Sequence, residues 1–213
     1  DWSWSPLFVD ADNDGQKDVL ITNGFPRNIT DLDFGDFNFN VQRYLSTAQI
    51  LDSIPVVKIP NYAYRNEGNG QFKDVGEEWG LSIPSFSNGA AFVDLDSDGD
   101  LDYVVNNIND EAFLFRNNLE SKKTTDNNYL QLDIKGPKSN RAGLGTKVAV
   151  RFADGTFQYY EHQLNRGYLS TVHSLAHFGL GPQTDIQAVE VVWPDGKHQI
   201  IKDVTANQRL LID

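Results

Sequence analysis

The sequence contains no cysteine. That excludes disulfides, thiolate nucleophiles, zinc knuckles and iron–sulfur ligation by Cys, and it is compatible with export. No run approaches the roughly 18–20 apolar residues that a membrane helix requires, so no direct membrane insertion is expected in this segment. Basic residues are scarce: Lys plus Arg number 18 against 30 for Asp plus Glu, a net charge of −12. Phosphates would be repelled, so neither nucleic acid nor an anionic membrane is expected as a general partner. G-x-S-x-G, H-E-x-x-H and P-loop patterns are absent. Gly143-Leu144-Gly145 and Gly179-Leu180-Gly181 lack both the third glycine and the βαβ context of a nucleotide cradle and read as turns. Methionine is also missing, and the first residue is Asp1. The expectation is a processed product or an excised piece of a longer protein, with any targeting segment outside it.

What is present suits a folded protein. Its 213 residues are 39% apolar and 12% aromatic, enough for one large domain or two modest ones. The most informative feature is an internal near-repeat. Residues 5–24 read SPLFVDADNDGQKDVLITNG, and residues 89–108 read GAAFVDLDSDGDLDYVVNNI. Each copy is followed by a second landmark, Tyr64-Arg65-Asn66 and then Phe115-Arg116-Asn117. The first landmark lies farther downstream, so the first copy carries an insertion over about residues 28–60. Within it Val41, Tyr44, Leu45, Ala48 and Leu51 fall at helical spacing and Pro55 stops the pattern, predicting an amphipathic helix docked on a strand scaffold.

Elsewhere the punctuation predicts short strands at 7–9, 19–22, 90–93 and 103–106, with a hairpin of 63–65 and 72–75 around Gly68-Asn69-Gly70. Residues 120–128 are polar and aperiodic, and are expected to link an N-terminal part (1–119) to a C-terminal part (129–213). In the latter, strands are expected at 129–134, 146–152, 157–162, 174–178, 188–193, 199–201 and 209–212. Asp154-Gly155 and Asp195-Gly196 are hairpin signals, and the set suggests a β-sandwich. The predicted class is all-β.

Each repeat contains D-x-D-x-D-G-x-x-D: Asp10, Asp12, Asp14, Gly15 and Asp18, then Asp94, Asp96, Asp98, Gly99 and Asp102. In an extended loop alternate side chains share one side, so positions one, three and five can converge on a point. The glycine at position six permits the turn that folds the loop over it. Residue seven, Gln16 or Asp100, can offer a backbone carbonyl, and the aspartate at position nine closes an oxygen shell. About 6–8 oxygens at roughly 2.3–2.6 Å suit Ca²⁺ best, giving two expected calcium sites. Asp-rich turns arise without metal too, because Asp favours turns. However, four aspartates and a glycine at fixed positions arise by chance at about 10⁻⁵ per start, and here they occur twice. The loops are not EF-hands, since position twelve is Ile21 or Val105 rather than Glu and the flanks read as strands.

Other features are weaker. His173 and His177 are four apart but interleave with Leu175 and Phe178 in a strand-like run, so a structural role is expected. Asp154 with Glu161, or Glu190 with Asp195, could be drawn as a glycosidase pair, as could pairs in any acidic chain. Arg141, Lys147, Arg151 and Arg166 read as solvated charge. Trp2, Trp4 and Trp79 could stack on sugars, whereas Trp193 before Pro194 reads as packing. Asn28-Ile29-Thr30 is a glycosylation sequon only in an organism that uses that pathway. No residue is singled out as catalytic.

The Asp loops, together with residues 64–75 (YRNEGNGQFKDV), resemble FG-GAP/VCBS repeats, which are blade units of β-propellers. The motifs at 140–148 (NRAGLGTKV), 166–170 (RGYLS), 177–181 (HFGLG) and 192–196 (VWPDG) resemble the ASPIC/UnbV domain that follows such repeats in the cartilage acidic protein family. With the helical insertion and the sandwich read from the spacing above, the resemblance gives partial β-propeller blades with a helical insertion, which the family motifs do not cover, followed by a β-sandwich-like domain. It further implies a secreted or cell-surface, calcium-stabilised module for adhesion or capture of a protein or glycan ligand. A propeller needs 4–8 blades, and residues 1–118 hold about two. The segment is therefore expected to be the C-terminal part of a larger propeller, packing against missing blades or a partner chain. Two other roles are an accessory subunit of a cell-surface assembly and part of a polysaccharide-active enzyme whose catalytic residues lie elsewhere.

Overall fold

In each repeat the Asp-rich segment is bracketed by β-branched and apolar residues that pair across it. A computed structural model describes residues 2–119 and 126–213. The strand β1 (Ser3–Val9) runs into the first Asp loop and returns as β2 (Asp18–Asn23), with Val9 opposite Asp18 and Phe8 opposite Val19. The second repeat has the same register: β5 (Ser87–Val93) and β6 (Asp102–Asn107) place Val93 opposite Asp102 and Phe92 opposite Tyr103. Strands β3 (Tyr62–Asn66) and β4 (Phe72–Asp74) complete a four-stranded sheet in the order β1-β2-β3-β4. β7 (Phe113–Phe115) makes the second sheet three-stranded, β5-β6-β7. The two sheets share one apolar core that includes Leu7, Val9, Leu20, Ala63, Ala90, Tyr103 and Val105. Among the described residues no sheet closes on itself, and the architecture is the all-β, blade-type fold expected.

The insertion differs from expectation. It holds two short helices, α1 (Leu32–Val41) and α2 (Thr47–Asp52), and neither buries a residue. Tyr44 falls between them and is 84% exposed. The break has a local cause. Ser46 accepts the Gln49 N–H while the Gln49 side chain accepts the Ser46 N–H, a reciprocal cap that starts a new helix. Asp31 caps the first helix singly, its side chain accepting Phe34 N. The chain leaves the sheet after Asn23 and re-enters at Tyr62, slightly wider than the expected insertion.

The C-terminal strands are β8 (Asn128–Ile134), β9 (Lys147–Phe152), β10 (Phe157–Glu161), β11 (Leu175–Gly181), β12 (Asp185–Val192), β13 (His198–Thr205) and β14 (Gln208–Ile212). They form two sheets, β10-β9-β12-β13 and β11-β8-β14, whose inner faces enclose one core including Leu130, Leu132, Val148, Val150, Phe178, Val189, Val191 and Ile212. Fully burying each such side chain is worth about 1.5–3 kcal/mol. The turns at Asp154-Gly155 and Asp195-Gly196 join antiparallel partners. Unlike the all-antiparallel pattern of a simple sandwich, β14 runs parallel to β8. Gly179-Leu180-Gly181 is not a turn but the end of β11, with an irregularity in register at the glycines. Of the expected linker, 120–125 lie outside the described residues, and Asn128 already belongs to β8. No described helix is long and apolar enough to cross a membrane.

Candidate metal centres

Both Asp loops are built by one set of local bonds. At position four Asn13 and Ser97 take positive φ (59° and 62°), and at position six Gly15 and Gly99 follow at 91° and 92°. These turns wrap the backbone around the first aspartate. Gly15 N donates to Asp10 Oδ2 at 3.0 Å, and Gly99 N to Asp94 Oδ2 at 3.1 Å. Position five closes its own small turn, with Asp14 Oδ1 accepting Gln16 N at 2.7 Å and Asp98 Oδ1 accepting Asp100 N at 3.0 Å.

Position nine clamps the loop to the rest of the sheet. Asp18 accepts Ala11 N and Asn66 N, both at 2.9 Å. Asp102 accepts Leu95 N at 3.0 Å and Asn117 N at 2.8 Å. The asparagines of the two Arg-Asn landmarks answer with their amides, Asn66 to Lys17 O and Asn117 to Leu101 O. The landmark and the loop are thus one structural unit, which accounts for their joint repetition.

Carboxylate oxygens of Asp10, Asp12 and Asp18 lie within 4.8 Å of one another, as do those of Asp94, Asp96 and Asp98. The sets differ from a uniform five-residue shell. Asp14 is not gathered in the first, nor Asp102 in the second. Gln16 and Asp100 place their backbone N–H groups on the position-five carboxylates. In each loop the first aspartate keeps one buried oxygen, Asp10 Oδ1 and Asp94 Oδ1, with no protein partner. Asp10 is 1% exposed and Asp94 8%. A buried carboxylate oxygen without a donor is costly, and a hard cation would satisfy it. The residues present therefore fit Ca²⁺.

The electrostatics agree. Burial, reinforced by Asp14, Asp12 and Asp18, pushes the Asp10 carboxyl up to about 7, with Lys17 opposing it. Burial also raises Asp18 to about 6 and Asp98 to about 6. Asp12 moves in the same direction. Gathered, desolvated carboxylates resist ionisation unless a positive charge joins them. In the first loop Lys17, inside the motif, acts on Asp10, Asp18 and Asp14; in the second the charge comes from the following landmark, where Arg116 reaches Asp96 Oδ2 at 2.7 Å and Asp98 Oδ2 at 3.9 Å. Its counterpart Arg65 turns instead to Glu67 and Glu78.

The remaining candidates occupy structural positions. Glu190 pairs with Arg151 and Asp195 with Lys197. Trp79 and Trp193 pack against the two cores. Trp2 and Trp4 stack on each other, and Trp4 meets Tyr168. Sequence reasoning missed Gln131, which is 5% exposed on β8 and donates to Asp94 Oδ2 at 2.7 Å. No spacing rule points to it, because the contact joins two parts of the chain 37 residues apart.

Comparisons with known proteins fit this geometry. Residues 59–105 match the family model FG-GAP-like repeat, from β3 through most of β6. Residues 136–213 match the model ASPIC and UnbV, which begins just after β8. Cartilage acidic protein 1 of Xenopus tropicalis is 31% identical over 109 residues, covering 51% of this chain and 16% of that protein. The Homo sapiens protein of the same name is 27% identical over 136 residues, covering 62% of this chain and 20% of its own length. The chain thus spans a fifth or less of these relatives. It carries an FG-GAP-like repeat followed by an ASPIC and UnbV domain.

Proposed function

We propose that this chain is a non-catalytic, calcium-stabilised extracellular module that binds a protein or glycan ligand at the cell surface. The observation carrying the calcium reading is the pair of buried, unpartnered oxygens, Asp10 Oδ1 and Asp94 Oδ1, at equivalent places in two loops of the same construction. Each ion would staple a strand–loop–strand turn, adding its binding free energy to folding. The extracellular reading rests on the named relatives, and the cysteine-free composition is merely compatible with it. Binding rather than catalysis is favoured because the carboxylates of the Asp loops are committed to backbone bonds and cation ligation, and the imidazole beside them, His177, is buried against Asn13. β7 is paired on one side only among the described residues, with Leu114 exposed, and offers an edge to a further strand.

Calorimetric titration of metal-stripped protein is the test. Two Ca²⁺ per chain are expected. At a free concentration of about 100 Kd each site adds about 2.7 kcal/mol, so Tm should rise by about 10 °C or more. An unchanged melt in protein verified to be metal-free would overturn the calcium reading.

A further inference from the structure

The outward face of β8 and β11 carries polar side chains where it should meet solvent, yet Gln131 and His177 there are buried, while Arg209 and Leu211 on the neighbouring β14 are exposed. Leu130, Leu132, Ala176 and Phe178 point into the sandwich core, so Gln131 and His177, directly opposite each other in register, point away from it. Both are nonetheless at most 6% exposed. What covers them is the pair of Asp loops. Gln131 Nε2 donates to Asp94 Oδ2, and His177 Nε2 lies 2.7 Å from Asn13 Oδ1. Asn13 also links the loops to each other, its amide donating to Gly99 O at 3.2 Å and Asp100 Oδ1 at 3.3 Å. Its carbonyl accepts Gly181 N at 2.8 Å. Gly179 lies so close to the Asp10 carboxylate and the Asn13 backbone that any side chain there would collide with them, and Tyr129 covers Gly99 equally closely.

We infer that this face is part of both metal centres: Gln131, His177 and Gly179 position the loops for cation binding, so that Ca²⁺ occupancy and docking of the C-terminal sandwich on the blades are a single equilibrium. Gln131 and Gly99 N together occupy Asp94 Oδ2, leaving Oδ1 to turn toward the ion. Asn13 sits between two ligand aspartates, and its backbone and side chain are both held from β11. If docking sets the shape of the loops, linkage requires the ion to strengthen docking by the same factor. The inference rests on the calcium reading above and adds to it a role for the sandwich.

The test keeps the two apart. Because the chain has no cysteine, Glu77→Cys on the blades and Lys202→Cys on β13, both exposed, supply the only two sites for spin labels. Pulsed electron resonance on the full chain should give one narrow distance distribution with saturating Ca²⁺ and a broader one after metal stripping. Asn13→Gly removes the linking side chain without straining a positive φ. It should weaken Ca²⁺ binding by calorimetry about tenfold, equivalent to about 1.4 kcal/mol, and keep the distribution broad at the Ca²⁺ level that narrows the parent. Gln131→Leu, which fills the same space without the donor, should weaken the second site directly and the first, through docking, by less. If the parent binds two Ca²⁺ with the same narrow distribution in the stripped state, or if both variants bind Ca²⁺ as the parent does, the coupling is wrong and the calcium reading stands. If no Ca²⁺ binds, both fall.

Discussion

Asp18 and Asp102 hold the same place in the two repeats and are used alike. Each carboxylate takes one N–H from the start of its own loop and one from the asparagine of the following Arg-Asn landmark. Position nine of the motif is therefore first a clamp. In the first loop it also joins the gathered carboxylates, while in the second it does not.

A separation of roles follows for the second loop. Asp102→Ala strands Leu95 N and Asn117 N, two part-buried donors, where about 1–3 kcal/mol for each is the cost at full burial. It should lower stability by at most about 2–6 kcal/mol in metal-free protein. Asp98→Ala removes a gathered carboxylate and strands one N–H, that of Asp100, so it should weaken Ca²⁺ binding and cost less metal-free stability than Asp102→Ala, which strands two. Urea unfolding of stripped protein and calorimetric titration measure the two effects separately. Equal loss of Ca²⁺ affinity in both variants would make Asp102 a ligand.

Arg116 makes the two loops unequal. Its guanidinium occupies Asp96 and Asp98, whereas Arg65 is diverted to Glu67 and Glu78. Arg116→Gln should therefore raise Ca²⁺ affinity at the second site. Its side chain is 60% exposed, so water screens the competition and a gain of a few-fold is expected. Arg65→Gln, which removes the same charge from the first repeat, should change affinity less. If both raise it equally, the effect is one of net charge and not of a guanidinium in the site.

The legible parts of this molecule were those specified by local chemistry. The Asp loops declared themselves because turn glycines and alternating carboxylates recur at fixed spacing, and the Asp154-Gly155 and Asp195-Gly196 hairpins because turn type follows from two residues. The break between α1 and α2 was also written locally, in Ser46 and Gln49, but apolar spacing across it suggested one helix. Gly179-Leu180-Gly181 misled for a different reason. Those glycines serve a tertiary approach, the Asp loop pressing on β11, and not a turn. Gln131 and His177 were illegible as site residues because their partners arrive from another part of the chain.

His162 supplies a pH dependence away from the loops. It is fully buried, and burial, with the nearby Arg166 cation adding to it, pulls its pKa below the ordinary 6.5. The unfolded chain then binds the proton more readily than the folded one. The stability contributed by neutral His162 is complete above about pH 6.5 and is lost as pH falls below it. His177, pulled down to about 3 by burial, acts in the same direction. Replacement isolates the first: His162→Phe should unfold with a shallower loss between about pH 7 and pH 5 than the parent. Each tenfold difference in proton affinity between the folded and unfolded chains is worth about 1.4 kcal/mol, which sets the scale of the effect. Parallel pH profiles for parent and variant would show that His162 does not titrate in this way.

The insertion should be separable from the scaffold. Helices α1 and α2 bury no residue, and the chain closes on itself at their base, where Asn28 N donates to Pro55 O at 2.8 Å. A short Gly/Ser bridge replacing residues 29–53 therefore spares the contact at that base and keeps Ile54, the buried anchor. Lengthening or shortening an exposed loop changes closure entropy by only about 0.6 kcal/mol per doubling. The excised protein should melt within a few degrees of the parent and bind two Ca²⁺ unchanged. Leu32, Phe39, Tyr44 and Leu51 stand exposed on this insertion, apolar side chains free for the ligand contact proposed above. Loss of ligand binding with retained stability would assign capture to the insertion, whereas a melt lowered by more than about 10 °C would make it part of the scaffold.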